Sequence, residues 1–132
     1  METSEIRRLL KKYRNIAIVG LSPKANRPSH QVAVYLLAAG YNIVPVNPGQ
    51  PEILGQKCYP DLEAIPGPIE IVDIFRRAED VLPIVRSAIK VGARVIWMQQ
   101  GIVNQEAAGL AEKAGLTVIM DRCLKIEHHN LA

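Results

Sequence analysis

Apolar residues along the chain fall into two kinds of run, and their alternation predicts an architecture before any single residue is considered. "IAIVG" (16–20), "YNIVPVNP" (41–48), "IEIVDIF" (69–75), "ARVIWMQ" (93–99) and "LTVIM" (116–120) are nearly continuous apolar stretches, the pattern of strands buried on both faces. Between them the period changes to that of an amphipathic helix. Residues 29–39 place Val32, Leu36 and Ala39 on one stripe and stop at Gly40. Residues 76–92 form a second helix with Pro83 near its first turns, and residues 104–115 a third, capped by Asn104. A short helix opens the chain, with Ile6, Leu9, Leu10 and Tyr13 on its apolar face and Thr3 or Ser4 as its cap. Pro45 removes one ladder donor from the second strand and predicts a bulge or an unpaired position there. The Gly- and Pro-rich stretch 49–68 reads as a connection with at most one turn of helix, near Asp61 to Ile65.

Strands alternating with helices of this length imply right-handed crossovers and a parallel sheet covered on both faces. The expectation is an α/β fold, a Rossmann-like three-layer sandwich whose doubly wound parallel sheet has about five strands, forming one domain over residues 1–132. In such sheets ligands bind beyond the carboxyl ends of the strands, where the strand order reverses. The loops after Gly20, Asn47, Ile74, Met98 and Met120 are therefore where a site is sought.

Composition narrows the choice of ligand. The chain is 48% hydrophobic and 22% charged, with a formal charge of +3. Only 5% of residues are aromatic, and no basic stripe with interleaved aromatics stands out, so nucleic acid is not expected. The start "METSEIRRLLKKYRN" has no apolar core of a secretory signal, and no apolar run approaches membrane-spanning length. The two cysteines, Cys58 and Cys123, form no CxxC pair. Without an export signal they read as reduced thiols, and the expected compartment is the cytoplasm.

The first loop carries the chemistry. A helix starting near Ser29 offers unpaired N–H groups and a partial positive charge to an anion. Ser22 and Ser29 add hydroxyls, while Lys24 and Arg27 add charge. The bland reading is a solvated turn in which Ser29 only caps the helix. A nicotinamide dinucleotide site would need G-x-G-x-x-G after the first strand and an acid ending the second. "GLSPKANRPS" supplies only Gly20, and the second strand ends in Asn47-Pro48. A nicotinamide-dependent oxidoreductase with a degenerate fingerprint is thus the weaker alternative.

The ordered stretches "GLSPKANRPSHQVAVYL", "GYNIVPVNP", "ILGQKCYPDL", "IVDIFRR", "VIWMQQGIVN" and "MDRCLKIEH" resemble the small stand-alone CoA-binding proteins. These in turn are similar to the N-terminal CoA-binding domain of the succinyl-CoA synthetase α subunit. The resemblance spans Asn15 to His128. It implies non-catalytic binding of coenzyme A or an acyl-CoA, as a carrier, a sensor or the partner of a separate acyl-CoA enzyme, since the length leaves no room for the phosphohistidine and nucleotide-grasp domains of ligase chemistry. It places the phosphates on Gly20, Ser22, Lys24, Arg27 and Ser29, with Lys24 toward the 3′-phosphate and Arg27 toward the pyrophosphate, or the two exchanged. Asn47 and Pro48 would line the same crevice. Phe75 and Arg76 would pack on adenine. Gln99 and Gly101 would lie near the pantetheine arm.

Other residues have competing readings. Cys123, in "DRC" past the fifth strand, is either an inert small hydrophobe or a thiol able to form a mixed disulfide with CoA, with Arg122 beside it favouring a thiolate. Cys58 reads as inert. His128 and His129 are adjacent, and with only His30 besides they make no metal site. Trp97 reads as core. Asp73, Glu79 and Asp80 show no sign of a paired general acid and base, and the Ser and His of "SPKANRPSH" lack a nucleophile elbow.

Overall fold

A computed structural model of the chain describes residues 2–131. In chain order its elements are α1 (Thr3–Lys12), β1 (Asn15–Val19), α2 (Pro28–Ala38), β2 (Asn42–Val46), a hairpin of β3 (Glu52–Ile53) and β4 (Gln56–Lys57), β5 (Ile71–Ile74), α3 (Val81–Lys90), β6 (Val95–Met98), α4 (Gln105–Lys113), β7 (Thr117–Ile119) and α5 (Leu124–Leu131). The five predicted strands join in one sheet, in the order β2-β1-β5-β6-β7, and every neighbouring pair is parallel. The order reverses at β1, so β1 and β5 flank the switch point of this Rossmann-like α/β fold.

Side chains alternate along each strand and build two cores. Ile16, Ile18, Ile71, Val95 and Trp97 meet Ile6, Val32, Leu36 and Leu124 of α1, α2 and α5 on one face. Ala17, Val72, Ile74, Ile96 and Met98 meet Val81, Val85, Ala107 and Ala111 of α3 and α4 on the other. Both faces are covered, which is why the strand sequences show no polar alternation. Trp97 is core, and its indole Nε1–H donates to the Arg122 carbonyl at 2.8 Å.

Several local expectations are corrected. The first helix is preceded by Glu2 with no side-chain cap, so neither Thr3 nor Ser4 fills that role. Pro45 makes no bulge: it stays in register opposite Ile18. Its carbonyl points outward, accepting from Tyr59 N–H at 3.0 Å, so its missing donor lies on the outer side of the edge strand, away from β1, where it costs no bond to β1. The helix expected over 76–92 begins as a single 3₁₀ turn at Ala78–Asp80 and becomes α-helical only at Val81, with Pro83 in its first turn. The 49–68 connection holds the predicted turn at Leu62–Ala64, capped by Asp61 Oδ1, and in addition the β3–β4 hairpin. Asn104 caps α4 through Ala107 N–H at 2.9 Å, as read from the sequence.

Helix α5 was not foreseen. It docks against α2 through a polar contact, Tyr35 Oη to His128 Nδ1 at 2.7 Å, with the His128 ring edge-on to Tyr35 and Tyr41. Burial, then the charges of Arg14 and His129, make that imidazole harder to protonate.

One polar side chain breaks the pattern of the sheet. Asp73, at the centre of β5, is in register with Ile18 and Trp97. It is fully buried, and among the described residues neither carboxyl oxygen finds a hydrogen-bond partner. Burial alone pushes its carboxyl well above the ordinary range. Asp73 therefore keeps its proton in the folded chain at pH values where the unfolded chain has lost it. Stability is full below the unfolded value of about 3.9 and falls as pH rises toward the folded one. Asp73→Asn cannot ionise, so its stability relative to the natural protein should rise by about 1 kcal/mol or more between pH 4.5 and pH 8. Urea unfolding at the two pH values measures this, and curves that stay parallel would refute it.

Candidate functional site

The switch point is closed by one glycine. Gly20 follows β1 with φ +89°, and a Cβ there would stand 2.6 Å from the Phe75 carbonyl oxygen at the end of β5. Its N–H donates to Val46 O at 2.9 Å, and Phe75 N–H to Val19 O at 2.8 Å. The chain thus crosses the ends of β2, β1 and β5 in close contact before rising into the first loop.

That loop is held by its own polar groups. Ser22 N–H donates to Ser29 Oγ at 3.0 Å, and Lys24 N–H to Ser22 Oγ at 3.1 Å. Both hydroxyls therefore accept from the backbone and keep their own O–H free to donate outward. His30 Nδ1 lies 2.9 Å from the Ser22 carbonyl. Asn47 Nδ2–H donates to Leu21 O at 3.0 Å, while Asn47 Oδ1 accepts from Gly49 N–H at 2.9 Å. Helix α2 starts at Pro28, one residue earlier than expected, with Arg27 at its cap position and no side-chain cap bond. Ser29 is thus not the cap. It sits buried in the first turn, and that turn's amides have no side-chain cap. Pro28 at the first position sacrifices no useful donor.

Three clefts adjoin along this edge. The first, about 430 Å³, is lined by Gly20, Ser22, Lys24, Arg27, Ser29 and Phe75. Among the described residues neither Lys24 nor Arg27 has an acidic partner within salt-bridge distance, whereas Arg76 pairs with Asp80 at 3.6 Å and Arg77 with Glu79 at 3.1 Å. The second, about 480 Å³, shares Gly20 and Ser22 with the first and is walled by Asn47, Pro48, Pro60, Leu62, Arg76 and Pro83, with Asp61, Glu79, Asp80 and Ser87 as further polar points. The third, about 530 Å³, shares Phe75 with the first and is lined by Val32, Gln99, Gln100, Ile102 and Cys123.

The structure brings together Gly20, Ser22, Lys24, Arg27, Ser29 and Phe75, and sets Asn47 and Pro48 in the second cleft and Gln99 in the third, with Arg76 lining both of these. Gly101 lies outside the linings: its N–H donates to Asp121 Oδ1 at 2.6 Å, tying two strand-end loops together. Asn47 is spent on holding the loop, its amide engaged at both ends. Gln99 is buried, and its Oε1 accepts from Leu124 N–H at 3.2 Å, fixing the start of α5 beside Cys123. Arg122 is engaged by Glu127 at 2.6 Å, which weakens the case for it acting on Cys123. Cys58 is buried, with its thiol donating to Asn47 O at 3.3 Å and pushed up by burial. Not assigned to a site from sequence are Val32, read there only as helix core, and Ile102, which carries only an apolar signal; nor is the contact of His30 with the Ser22 carbonyl, which has no local signature.

A family model described as a CoA binding domain matches residues 14–129. The uncharacterized protein YneT of Bacillus subtilis is 44% identical over 125 residues, 95% of this chain and 93% of that protein. A hypothetical protein from Pyrococcus horikoshii matches in structure with a TM-score of 0.97 and 44% identity, over 99% of this chain and 92% of that one. An acetyl-coenzyme A synthetase 1 from Ca. Korarchaeum cryptofilum matches with a TM-score of 0.76 and 25% identity. The match covers 85% of this chain but only 27% of the synthetase. With a glycine-seamed switch point, a donor-rich loop and a family match over most of its length, the chain belongs to the CoA-binding domain family.

Proposed function

We propose that the chain holds coenzyme A or an acyl-CoA without transforming it, with the phosphates on the loop from Gly20 to Ser29. The single observation carrying this reading is the cleft in which two unpaired cations, two outward-donating hydroxyls and an uncapped helix start converge. Hydroxyls, amides and cations all donate, and phosphoryl oxygens only accept, so the donor set fits the ligand. CoA is long, with a nucleoside at one end and a pantetheine arm at the other, and clefts adjoin the loop on both sides. The proline-walled cleft beside Asn47 suits a flat base, with the Arg76 guanidinium at its rim and Asp61, Glu79, Asp80 and Ser87 as polar points, the carboxylates suiting amino and hydroxyl donors rather than phosphate. The more apolar cleft past Phe75 suits the arm, with Gln99 for its amides. Phe75 then flanks the arm rather than the base. A holding role is supported by Asp73, whose carboxyl oxygens are sealed from every cleft, and by Cys58, whose thiol is bound to backbone.

Calorimetric titration tests the reading. CoA should bind saturably, and Lys24→Ala and Arg27→Ala should each weaken it about five- to tenfold, as expected for charge-assisted contacts at an open site. Dephospho-CoA should bind less well than CoA, and Lys24→Ala should narrow that difference. Absence of heat with CoA and acyl-CoAs at high micromolar concentration would end the proposal.

A second reading is favoured by one observation: Cys123, a free and half-buried thiol, lines the cleft assigned to the arm. Its thiolate would attack the disulfide of oxidised CoA, forming a Cys123–CoA disulfide and releasing one CoA thiol, so that the exchange needs no further oxidant. Intact-mass measurement after incubation with oxidised CoA should show one added CoA, lost on dithiothreitol treatment and absent in Cys123→Ser. An adduct that persists in Cys123→Ser would remove this reading.

A further inference from the structure

The first loop contains one group that works against an anion. Between Ser22 and Pro23 the peptide has a carbonyl but no N–H, because the following residue is proline. The Arg27–Pro28 peptide also lacks an N–H, but its carbonyl is held by Gln31 N–H at 3.2 Å; any other peptide of the loop that turned over would exchange a carbonyl for a donor. The Ser22–Pro23 peptide, turned toward the cleft, presents only a partially negative oxygen to a phosphate. The neighbouring bonds fix the amides on either side of it, Ser22 N–H to Ser29 Oγ and Lys24 N–H to Ser22 Oγ, but neither engages the carbonyl. The carbonyl itself is taken by His30 Nδ1 at 2.9 Å. A carbonyl oxygen can only accept, so Nδ1 must carry the proton. His30 is half-buried in the first turn of α2 and is absent from the lining of the anion cleft.

We propose that His30 is a positioning residue for anion binding: its Nδ1–H clasps the Ser22 carbonyl and keeps that oxygen turned away from the cleft. This rests on the reading of the loop as the phosphate site. The clasp gives the histidine of "SPKANRPSH" a role that needs neither a nucleophile nor a metal. It acts alongside the two serines, each of which fixes one amide, so that the backbone from Ser22 to Lys24 is held at three points. The Pro23 ring fixes φ on the far side of this peptide, so its carbonyl can turn only through ψ of Ser22, and loss of the clasp frees that rotation toward the cleft.

The test compares the natural protein with His30→Leu, which fills the space without a donor, and His30→Asn, whose amide nitrogen can stand where Nδ1 does. CoA affinity by calorimetry should fall about tenfold in His30→Leu, the usual worth of a lost hydrogen bond plus an exposed acceptor, and recover to within about threefold in His30→Asn. Thermal midpoints establish that each variant is folded, and His30→Ala replaces the leucine variant should that one not fold. Equal affinity in all three proteins overturns the proposal, as does a loss that asparagine fails to restore. Should the natural protein bind no CoA, the CoA reading falls on its own. The clasp is then read from amide hydrogen exchange at Ser22 and Lys24 in the free protein. Faster exchange in His30→Leu but not in His30→Asn supports it, and identical exchange in all three overturns it.

Discussion

The site depends on how closely the chain passes over the end of β5. A Cβ at position 20 would fall 2.6 Å from the Phe75 carbonyl oxygen, a carbonyl fixed by a strand buried on all sides. Only glycine fits, and only glycine takes φ +89° without strain. Because Gly20 also donates to Val46, this one residue knits the ends of β2, β1 and β5 together. From that seam α2 runs to one face of the sheet and α3 to the other. The crevice between them is the geometric consequence of the strand order, and the loop from Ser22 to Arg27 is its rim.

Charge at that rim is arranged by pairing rather than by quantity. The net charge of +3 is modest. Around the edge, Arg76, Arg77 and Arg122 each have a carboxylate within reach, through contacts of 3.6, 3.1 and 2.6 Å. Such exposed pairs add little to stability, but they neutralise the guanidinia for a passing anion. Lys24 and Arg27 are left uncompensated beside an uncapped helix start. An anion approaching this edge meets one concentrated positive site instead of a diffuse one, which a chain with 16 basic and 13 acidic residues would otherwise present.

The five strands and the position of the loop were legible because a two-sided parallel sheet writes itself as unbroken apolar runs, and because the ligand edge follows from topology. That Ser22, Lys24, Arg27 and Ser29 share one cleft was legible for a related reason: they are polar where the fold brings the chain to the switch point. What escaped notice lacked a local signal. The β3–β4 hairpin has two residues per strand and a turn at Leu54-Gly55, too short for any period. Helix α5 is polar on much of its surface and is fixed by His128 against Tyr35, a contact 93 positions apart in the chain. Pro45 misled because strand order, which decides whether a missing N–H matters, cannot be seen in one strand. Asp73 reads as an ordinary acid in "IVDIF" until its neighbours in β1 and β6 are known to be Ile18 and Trp97.

The two elements that sequence did not announce are the ones that finish the site. The hairpin delivers Cys58 and Tyr59, whose thiol and backbone hold both the carbonyl and the N–H of Asn47. Asn47 in turn holds Leu21 at the base of the loop. On the opposite side, Trp97 and Gln99 of the β6 edge grip the turn before α5 through Arg122 and Leu124, and so bring Cys123 to the cleft wall. The regular α/β framework supplies an edge and a helix start, which many folds of this kind share. Two short additions, each fastened by polar contacts over long sequence separations, convert that common edge into a cleft with a defined floor and two defined ends. Leu21 at the base of the loop and Cys123 at the cleft wall are therefore placed by straps that the regular framework does not contain.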